Sequence, residues 1–135
     1  MRPAGRVALG LGCDRGTPLR TIEEAVSQAL ALAGAGWDDV AAAASIDLKA
    51  DEAGLLALAR QRGWTLRFHA AAALAQVPVP NPSETVRRYT GTPSVSEAAA
   101  LLAAGASMQA LLVEKHKHRG PDGRNATVSV ARMNE

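Results

Sequence analysis

Lys49, Asp51 and Glu52 fall within four positions of the segment SIDLKADEAGLL, where an apolar run meets a leucine-rich helix pattern. A lysine at such a place can bind an anionic ligand, and a neighbouring acid can transfer a proton. In the simpler alternative, one carboxylate caps the next helix while the other pairs with Lys49. Both interpretations require that these residues follow a strand directly.

A glycine-containing loop, at Gly12, Cys13 and Asp14, follows the first apolar run of the chain. The glycines of this loop, residues 12–17, expose backbone N–H groups ahead of a helix whose dipole favours negative charge. The loop is therefore either an anion site or a plain strand-to-helix turn. The loop has no GxGxxG pattern and no Walker lysine, which makes it a poor match to a nucleotide site. Cys13 is either a nucleophile whose pKa the helix start lowers or an inert buried thiol.

A third polar segment, GTPSVSE, places Ser94, Ser96 and Glu97 at the start of another helix. Ser94 and Glu97 have the spacing of a capping box, in which side chains and backbone amides satisfy each other. The three segments should meet, because ligands in open α/β sheets gather beyond the carboxyl ends of the parallel strands.

A basic cluster, KHKHR, begins at Lys115 and ends at Arg119. His116 and His118 point to one side if the segment is extended, and two histidines can begin a metal site. No third ligand follows at a suitable spacing, so we predict no metal and a solvated basic turn. The cluster could still lie over a polycarboxylate ligand.

Alternating strands and helices must position these residues. Apolar runs predict strands at 6–11, 40–48, 64–68, 110–114 and 126–132, the last two forming a hairpin around a polar turn at 115–125. Longer helices begin at capping residues Thr21 (with Glu24), Asp51 and Ser94, and end at Gly34, Gly63 and Gly105. Two shorter helices are expected at 69–76 and 82–89, joined by the rigid connector VPVPNPS. The pattern predicts a mixed α/β sheet flanked by helices.

Composition narrows the class of protein. The 135 residues suit one domain, and their net charge is only +2. Aromatic residues are 3% of the chain and basic residues are dispersed, which argues against nucleic-acid binding. One cysteine rules out an internal disulfide, and no apolar run approaches the length of a membrane span. We therefore expect a cytoplasmic protein without membrane association.

These segments together resemble the CobE/CbiG C-terminal family of cobalamin biosynthesis. The resemblance rests on GLGCDRGTPLRTIEEAV, SIDLKADEAGLLALA and GTPSVSEAAALLAAGA in that order, with Lys115 and ATVSVAR near the end. It implies one domain, 1–135, with three α/β/α layers, a mixed, mainly parallel sheet and a C-terminal β-hairpin. CbiG-type proteins join this domain to an N-terminal part and open a δ-lactone on a cobalt-precorrin. Because this chain starts almost at the GLGC strand, we expect the stand-alone CobE form.

The resemblance implies a corrin-ring intermediate, of the precorrin or hydrogenobyrinic type, as ligand. Other cobalamin-pathway enzymes are expected partners, and no cofactor is expected. The expected ligand-site residues are Gly12, Cys13, Asp14, Lys49, Asp51, Glu52, Ser94, Ser96, Glu97 and Lys115. Among them, Asp51, Glu52 and Glu97 are expected to cap helices and orient the site. Two alternatives stay open: a hydrolase acting on the same intermediates, with Glu52 or Asp51 as an acid of shifted pKa, and a non-catalytic scaffold with an exposed apolar patch.

Overall fold

The computed structural model describes residues 6–91 and 94–134, which form a five-stranded sheet with helices on both faces. The strands lie in the order β3-β2-β1-β5-β4. Their bounds are β1 Val7–Cys13, β2 Val40–Ile46, β3 Leu66–His69, β4 Leu111–Arg119 and β5 Asn125–Arg132. The first three are parallel, whereas β5 is antiparallel to both β1 and β4. Four strands therefore share one direction, and the predicted mixed sheet with a C-terminal hairpin is confirmed.

Helices cover the two faces of this sheet. They are α1 Leu19–Ala33, α2 Ala53–Arg62, α3 Ala71–Ala75, α4 Glu84–Thr90 and α5 Val95–Ala104. On one face α1 and α2 pack over Leu9, Leu11 and Val128, and on the other α5 packs over Ala8 and Ala44. Each core forms because alternate residues of a strand point to opposite faces. The predicted three-layer α/β/α arrangement is confirmed.

Small side chains let α5 lie almost on the backbone of β1. A Cβ added to Gly10 would overlap the carbonyl oxygen of Ser96 and lie 2.5 Å from the amide nitrogen of Ala100. Ala98, Ala99 and Ala100 are fully buried at this contact. The start of α5 is thereby held next to the carboxyl end of β1, where the functional residues are expected.

Both predicted capping boxes are wrong. Helix α1 begins at Leu19 after Pro18, so Thr21 lies inside its first turn, buried beneath Gly120 of the β4–β5 turn. Ser94 does precede α5, but its side chain makes no capping hydrogen bond, and the Glu97 carboxylate accepts from Asn81 instead. The first box fails because the helix begins earlier than predicted, and the second because a tertiary contact occupies the Glu97 carboxylate.

The basic cluster is part of a strand, not the predicted solvated turn. Strand β4 continues to Arg119, with His116 opposite Val128 and His118 opposite Ala126, and the turn occupies only 120–124. Polar residues are tolerated here because β4 is an edge strand. The second strand is shorter than predicted: it ends at Ile46, and Asp47–Lys49 form one 3-10 turn.

Candidate functional site

A cleft of about 490 Å³ opens at the carboxyl ends of β1 and β2, beside the start of α5. Strand β4, the start of β5 and α4 complete its wall. The lining residues are Gly12, Cys13, Asp14, Ile46, Lys49, Ser83, Thr85, Val86, Tyr89, Thr90, Val95, Ser96, Lys115, Lys117, Asn125 and Thr127. The volume lies within the range of small-molecule sites, and the lining combines apolar walls with a few polar groups.

The cleft contains every lysine in the chain. Lys49, Lys115 and Lys117 all line it, although the sequence has twelve arginines and only three lysines. None of the arginines that the structure describes lines this cleft. Asp14 is the one carboxylate among the lining residues, so three cations face a single acid. This arrangement attracts anions locally, in a protein whose net charge is small.

The lysine head groups are available to a ligand. Within the described residues, no carboxylate lies at ion-pair distance from Lys49 or Lys117, and the Lys115 Nζ makes one long contact of 3.4 Å to the Asn81 carbonyl oxygen. Lys49 and Lys115 are half-buried, whereas Lys117 is exposed. Flexible ammonium groups of this kind can pair with carboxylates without a fixed bidentate geometry.

Two polar residues of the cleft lining, Ser96 and Asp14, are held by contacts with β5. The buried Ser129 hydroxyl donates to the Glu114 carbonyl oxygen and lies 2.9 Å from the Ser96 Oγ. Ser96 is only 3% exposed, and its hydroxyl is held in place by this contact with β5. Asp14 accepts from the backbone and side-chain amides of Asn125, at 2.8 and 3.1 Å.

The loop after β1 is not the open anion site that its glycines predict. The Gly16 amide donates to the Glu52 Oε1 at 3.0 Å, and the Asp14 amide donates to the Asn125 carbonyl at 2.9 Å. Glu52 is only 3% exposed, and its other oxygen lies 2.9 Å from the Arg15 guanidinium. A carboxylate of the protein itself therefore occupies the place predicted for an external anion. Glu52 positions the loop and does not line the cleft.

Asp51 does not cap α2 and does not line the cleft. Its carboxylate is exposed and lies 2.7 Å from the Arg15 guanidinium, which lowers the pKa of Asp51. Glu52 occupies the N-cap position of α2, although its side chain makes no capping bond. Both acids form ion pairs with Arg15 and not with Lys49. The alternative in which one of these acids pairs with Lys49 is therefore wrong.

Ser94 and Glu97 are buried behind the cleft wall. Ser94 directly precedes Val95, which lines the cleft, and is 1% exposed. Glu97 is fully buried, and its two oxygens accept from the Asn81 side-chain and backbone amides at 2.6 and 3.3 Å. Asn81 also donates to Glu114 at 3.0 Å, so this contact ties the proline-rich connector to α5 and β4.

Cys13 lines the cleft, but its surroundings oppose reactivity. Burial, followed by the negative charge of Glu52, raises the pKa of the Cys13 thiol to about 11. Of the two alternatives for Cys13, the nucleophile with a lowered pKa is wrong, because desolvation of the thiolate outweighs the attraction of Lys49. At neutral pH the thiol is protonated and is a poor nucleophile.

The two histidines point away from the cleft, toward α1. His118 Nε2 lies 3.0 Å from the Glu24 carboxylate, and His116 Nε2 lies 2.7 Å from the Gln28 side-chain oxygen. The predicted common side for the pair is confirmed. Within residues 6–91 and 94–134, no group of three His, Cys, Asp or Glu side chains could hold a metal ion.

Several residues of the cleft lining were not predicted from the sequence. Lys117 could have been found, because alternation along a strand puts it on the same side as Lys115. Asn125 and Thr127 alternate in the same way on β5. The α4 contribution, Thr85, Val86, Tyr89 and Thr90, has no comparable signal, because only the tertiary structure brings this short helix to the cleft.

Comparison with known proteins gives consistent matches. The family model described as "Cobalamin synthesis G C-terminus" matches residues 7–131. The chain is 38% identical over 125 residues to a cobalt-precorrin-5A hydrolase of Priestia megaterium, covering 93% of this chain and 32% of that protein. It thus spans about a third of the hydrolase's length. It is 40% identical over 111 residues to Protein CobE of a Sinorhizobium species, covering 81% of this chain and 71% of that protein.

A solved structure agrees with these matches. The crystal structure of CobE, described as a protein from the cobalamin (vitamin B12) biosynthetic pathway, superposes with a TM-score of 0.80 at 32% identity, covering 98% of this chain and 94% of that one. In the part of the chain that the structure describes, no helix has the length and apolar character needed to cross a membrane.

Proposed function

Because the chain belongs to the Cobalamin synthesis G C-terminus family, we propose that its cleft binds and handles a corrin-ring intermediate of cobalamin biosynthesis. The observation that carries this proposal is the convergence of Lys49, Lys115 and Lys117 on one cleft. Corrin acids are broad, apolar across the macrocycle and rimmed by carboxylates. Lysines at the rim and small or apolar residues on the walls match that chemistry.

The macrocycle would be held by one edge and one face. Gly12 and Val95 form a smooth part of the wall, on which a flat ring can approach the backbone. The two half-buried lysines, Lys49 and Lys115, would make the stronger carboxylate contacts, because a charged pair is less screened when it is partly removed from water. Lys117, being exposed, would contribute less.

Binding can be tested by titrating the purified protein with hydrogenobyrinic acid, a metal-free corrin acid, while visible absorption is recorded, followed by gel filtration. We expect a spectral shift and co-elution of the pigment with the protein. Lys49→Ala should weaken binding about tenfold, and the matched control Arg60→Ala, on α2 outside the cleft, should not. Folded protein that neither shifts the spectrum nor retains the pigment would contradict the proposal.

A hydrolase acting on the same class of intermediate is a second candidate, favoured by the 38% identity to the Priestia megaterium hydrolase. The sequence pointed to Glu52 or Asp51 as its acid, but both contact Arg15 outside the cleft. Asp14, which lines the cleft, is the acid placed to act on a bound ligand. If the chain catalyses hydrolysis, Asp14→Asn should abolish turnover with binding retained, and Glu52→Gln should leave turnover in place.

A non-catalytic scaffold for other pathway enzymes predicts a contiguous apolar patch. Among the residues that the structure describes, the exposed large apolar side chains lie on six different elements: Leu32, Leu48, Leu56, Tyr89, Leu102 and Met108. No helix presents two of them. This distribution gives the scaffold alternative less support than the lysine-lined cleft gives to ligand binding.

A further inference from the structure

Helix α4 differs from the other helices that flank the sheet. It has seven residues, Glu84–Thr90, and none of them is buried. None belongs to the three apolar cores that hold the remaining helices against the strands. A helix this short has little stability of its own, and a segment with few buried contacts opens readily. The apolar cores of the sheet therefore do not hold α4 in place.

The connector before α4 is anchored to the rest of the protein, and the helix ends at a glycine. Before the helix, Asn81 is bonded to the buried Glu97, and the Ser83 hydroxyl accepts from the Val86 amide at 3.2 Å. After it, Gly91 adopts a positive φ of 83°, a conformation that suits glycine. The helix is thus a short segment between an anchored connector and a glycine turn, a geometry that permits it to move as a unit.

The inner side of α4 faces the lysine-lined cleft. Thr85, Val86, Tyr89 and Thr90 line that cleft. Tyr89 is the chain's one tyrosine and is 79% exposed, although aromatic residues are only 3% of the sequence. A tyrosine side chain is rigid and loses little conformational entropy on binding. Its flat ring can stack on a planar apolar partner.

We propose that α4 is a lid that closes over a planar tetrapyrrole acid, with the Tyr89 ring packed on the face of the macrocycle. The proposal rests on the function proposed above and assigns the parts of the ligand to parts of the cleft. The three lysines hold the carboxylate rim, and α4 covers the ring face that the cleft wall leaves open. Lys115 connects carboxylate binding with closure of α4, because its Nζ contacts the Asn81 carbonyl oxygen in the connector that precedes the helix.

Limited proteolysis tests the movement directly, because α4 carries two exposed trypsin sites, Arg87 and Arg88. Saturating hydrogenobyrinic acid should slow cleavage at these two arginines at least tenfold. Cleavage at the exposed Arg60, on α2 and away from the cleft, should keep its rate and serves as the internal control. Unchanged cleavage at Arg87 and Arg88 in the ligand complex would overturn the lid.

A pair of variants tests the ring contact. Tyr89→Ala should raise the Kd for hydrogenobyrinic acid about tenfold, and Tyr89→Phe, which keeps the ring, should change it less than twofold. Because Tyr89 is not buried, both variants should fold with unchanged urea midpoints. If the wild-type protein binds the corrin acid and Tyr89→Ala binds it equally well, the inference fails while the proposed function stands. If the wild-type protein does not bind it, the proposed function itself fails.

Discussion

Replacing Glu52 tests whether this residue positions the loop after β1 or acts on a ligand in the cleft. Its buried carboxylate accepts from the Gly16 amide at 3.0 Å and lies 2.9 Å from the Arg15 guanidinium. Glu52→Ala removes a charged acceptor, and a hydrogen bond to a charged group contributes about 1.5–3 kcal/mol. The pair with Arg15 adds about 0.5 kcal/mol, because the Arg15 side chain is 61% exposed.

The expected loss of unfolding free energy for Glu52→Ala is therefore about 3 kcal/mol. For a chain of 135 residues this corresponds to a decrease in Tm of about 10 °C. Glu52→Gln keeps an oxygen for the Gly16 amide and loses only the charge, so it should cost about 1 kcal/mol. Urea unfolding followed by the fluorescence of Trp37 and Trp64, which pack against the core, measures both values.

Glu84→Ala is the matched control, since that carboxylate is 84% exposed and lies 3.5 Å from the Arg87 guanidinium. It should change the unfolding free energy by less than about 0.5 kcal/mol. If Glu52→Ala is no less stable than Glu84→Ala, the conclusion that Glu52 holds the β1 loop is refuted. Loss of ligand turnover in a stable Glu52→Gln variant would instead place Glu52 in the chemistry.

Further predictions concern packing, the thiol and one ion pair. Gly10→Ala should cost more than about 3 kcal/mol in urea unfolding, because its Cβ would overlap α5, while Gly12→Ala, with no atom nearer than 4.0 Å, should stay close to wild type. Iodoacetamide should alkylate Cys13 with a pH midpoint near 11, and fast reaction at neutral pH would contradict the burial argument. The bond from His118 lowers the pKa of Glu24, so its stabilising contribution is present above the ordinary value of 4.5 and is lost as pH falls. Urea unfolding of wild type and His118→Ala should therefore converge at low pH, and a constant difference would count against this pair.

The order of elements and the place of the site could be predicted because each depends on local patterns. Apolar runs marked all five strands, and the rule for the carboxyl ends of parallel strands brought Gly12 and Lys49 to one cleft. Lys115 was placed near the ligand as part of the basic cluster and again through the family resemblance. The structure also places Ser96 in the same lining.

The capping boxes and the open anion loop could not be predicted correctly, because each depends on a partner distant in the sequence. Glu97 meets Asn81, sixteen residues away, and Glu52 meets Gly16, thirty-six residues away. These contacts occupy the Glu97 carboxylate and the Gly16 amide, which the local motifs would have used. Helix α4 was predicted as a helix, but its place in the cleft lining was not, because only the tertiary structure brings it there.

Lysine labelling gives the most direct test of the central claim, because the chain has only three lysines and all of them line the cleft. The protein is acetylated with and without saturating hydrogenobyrinic acid, with a lysine peptide as internal reference, and the rate at each lysine is read by mass spectrometry. We predict that the ligand slows labelling of Lys49, Lys115 and Lys117 together, most strongly at the two half-buried positions. If the absorption spectrum shows that the corrin acid binds, yet all three labelling rates stay unchanged, the assignment of this cleft as the binding site is contradicted.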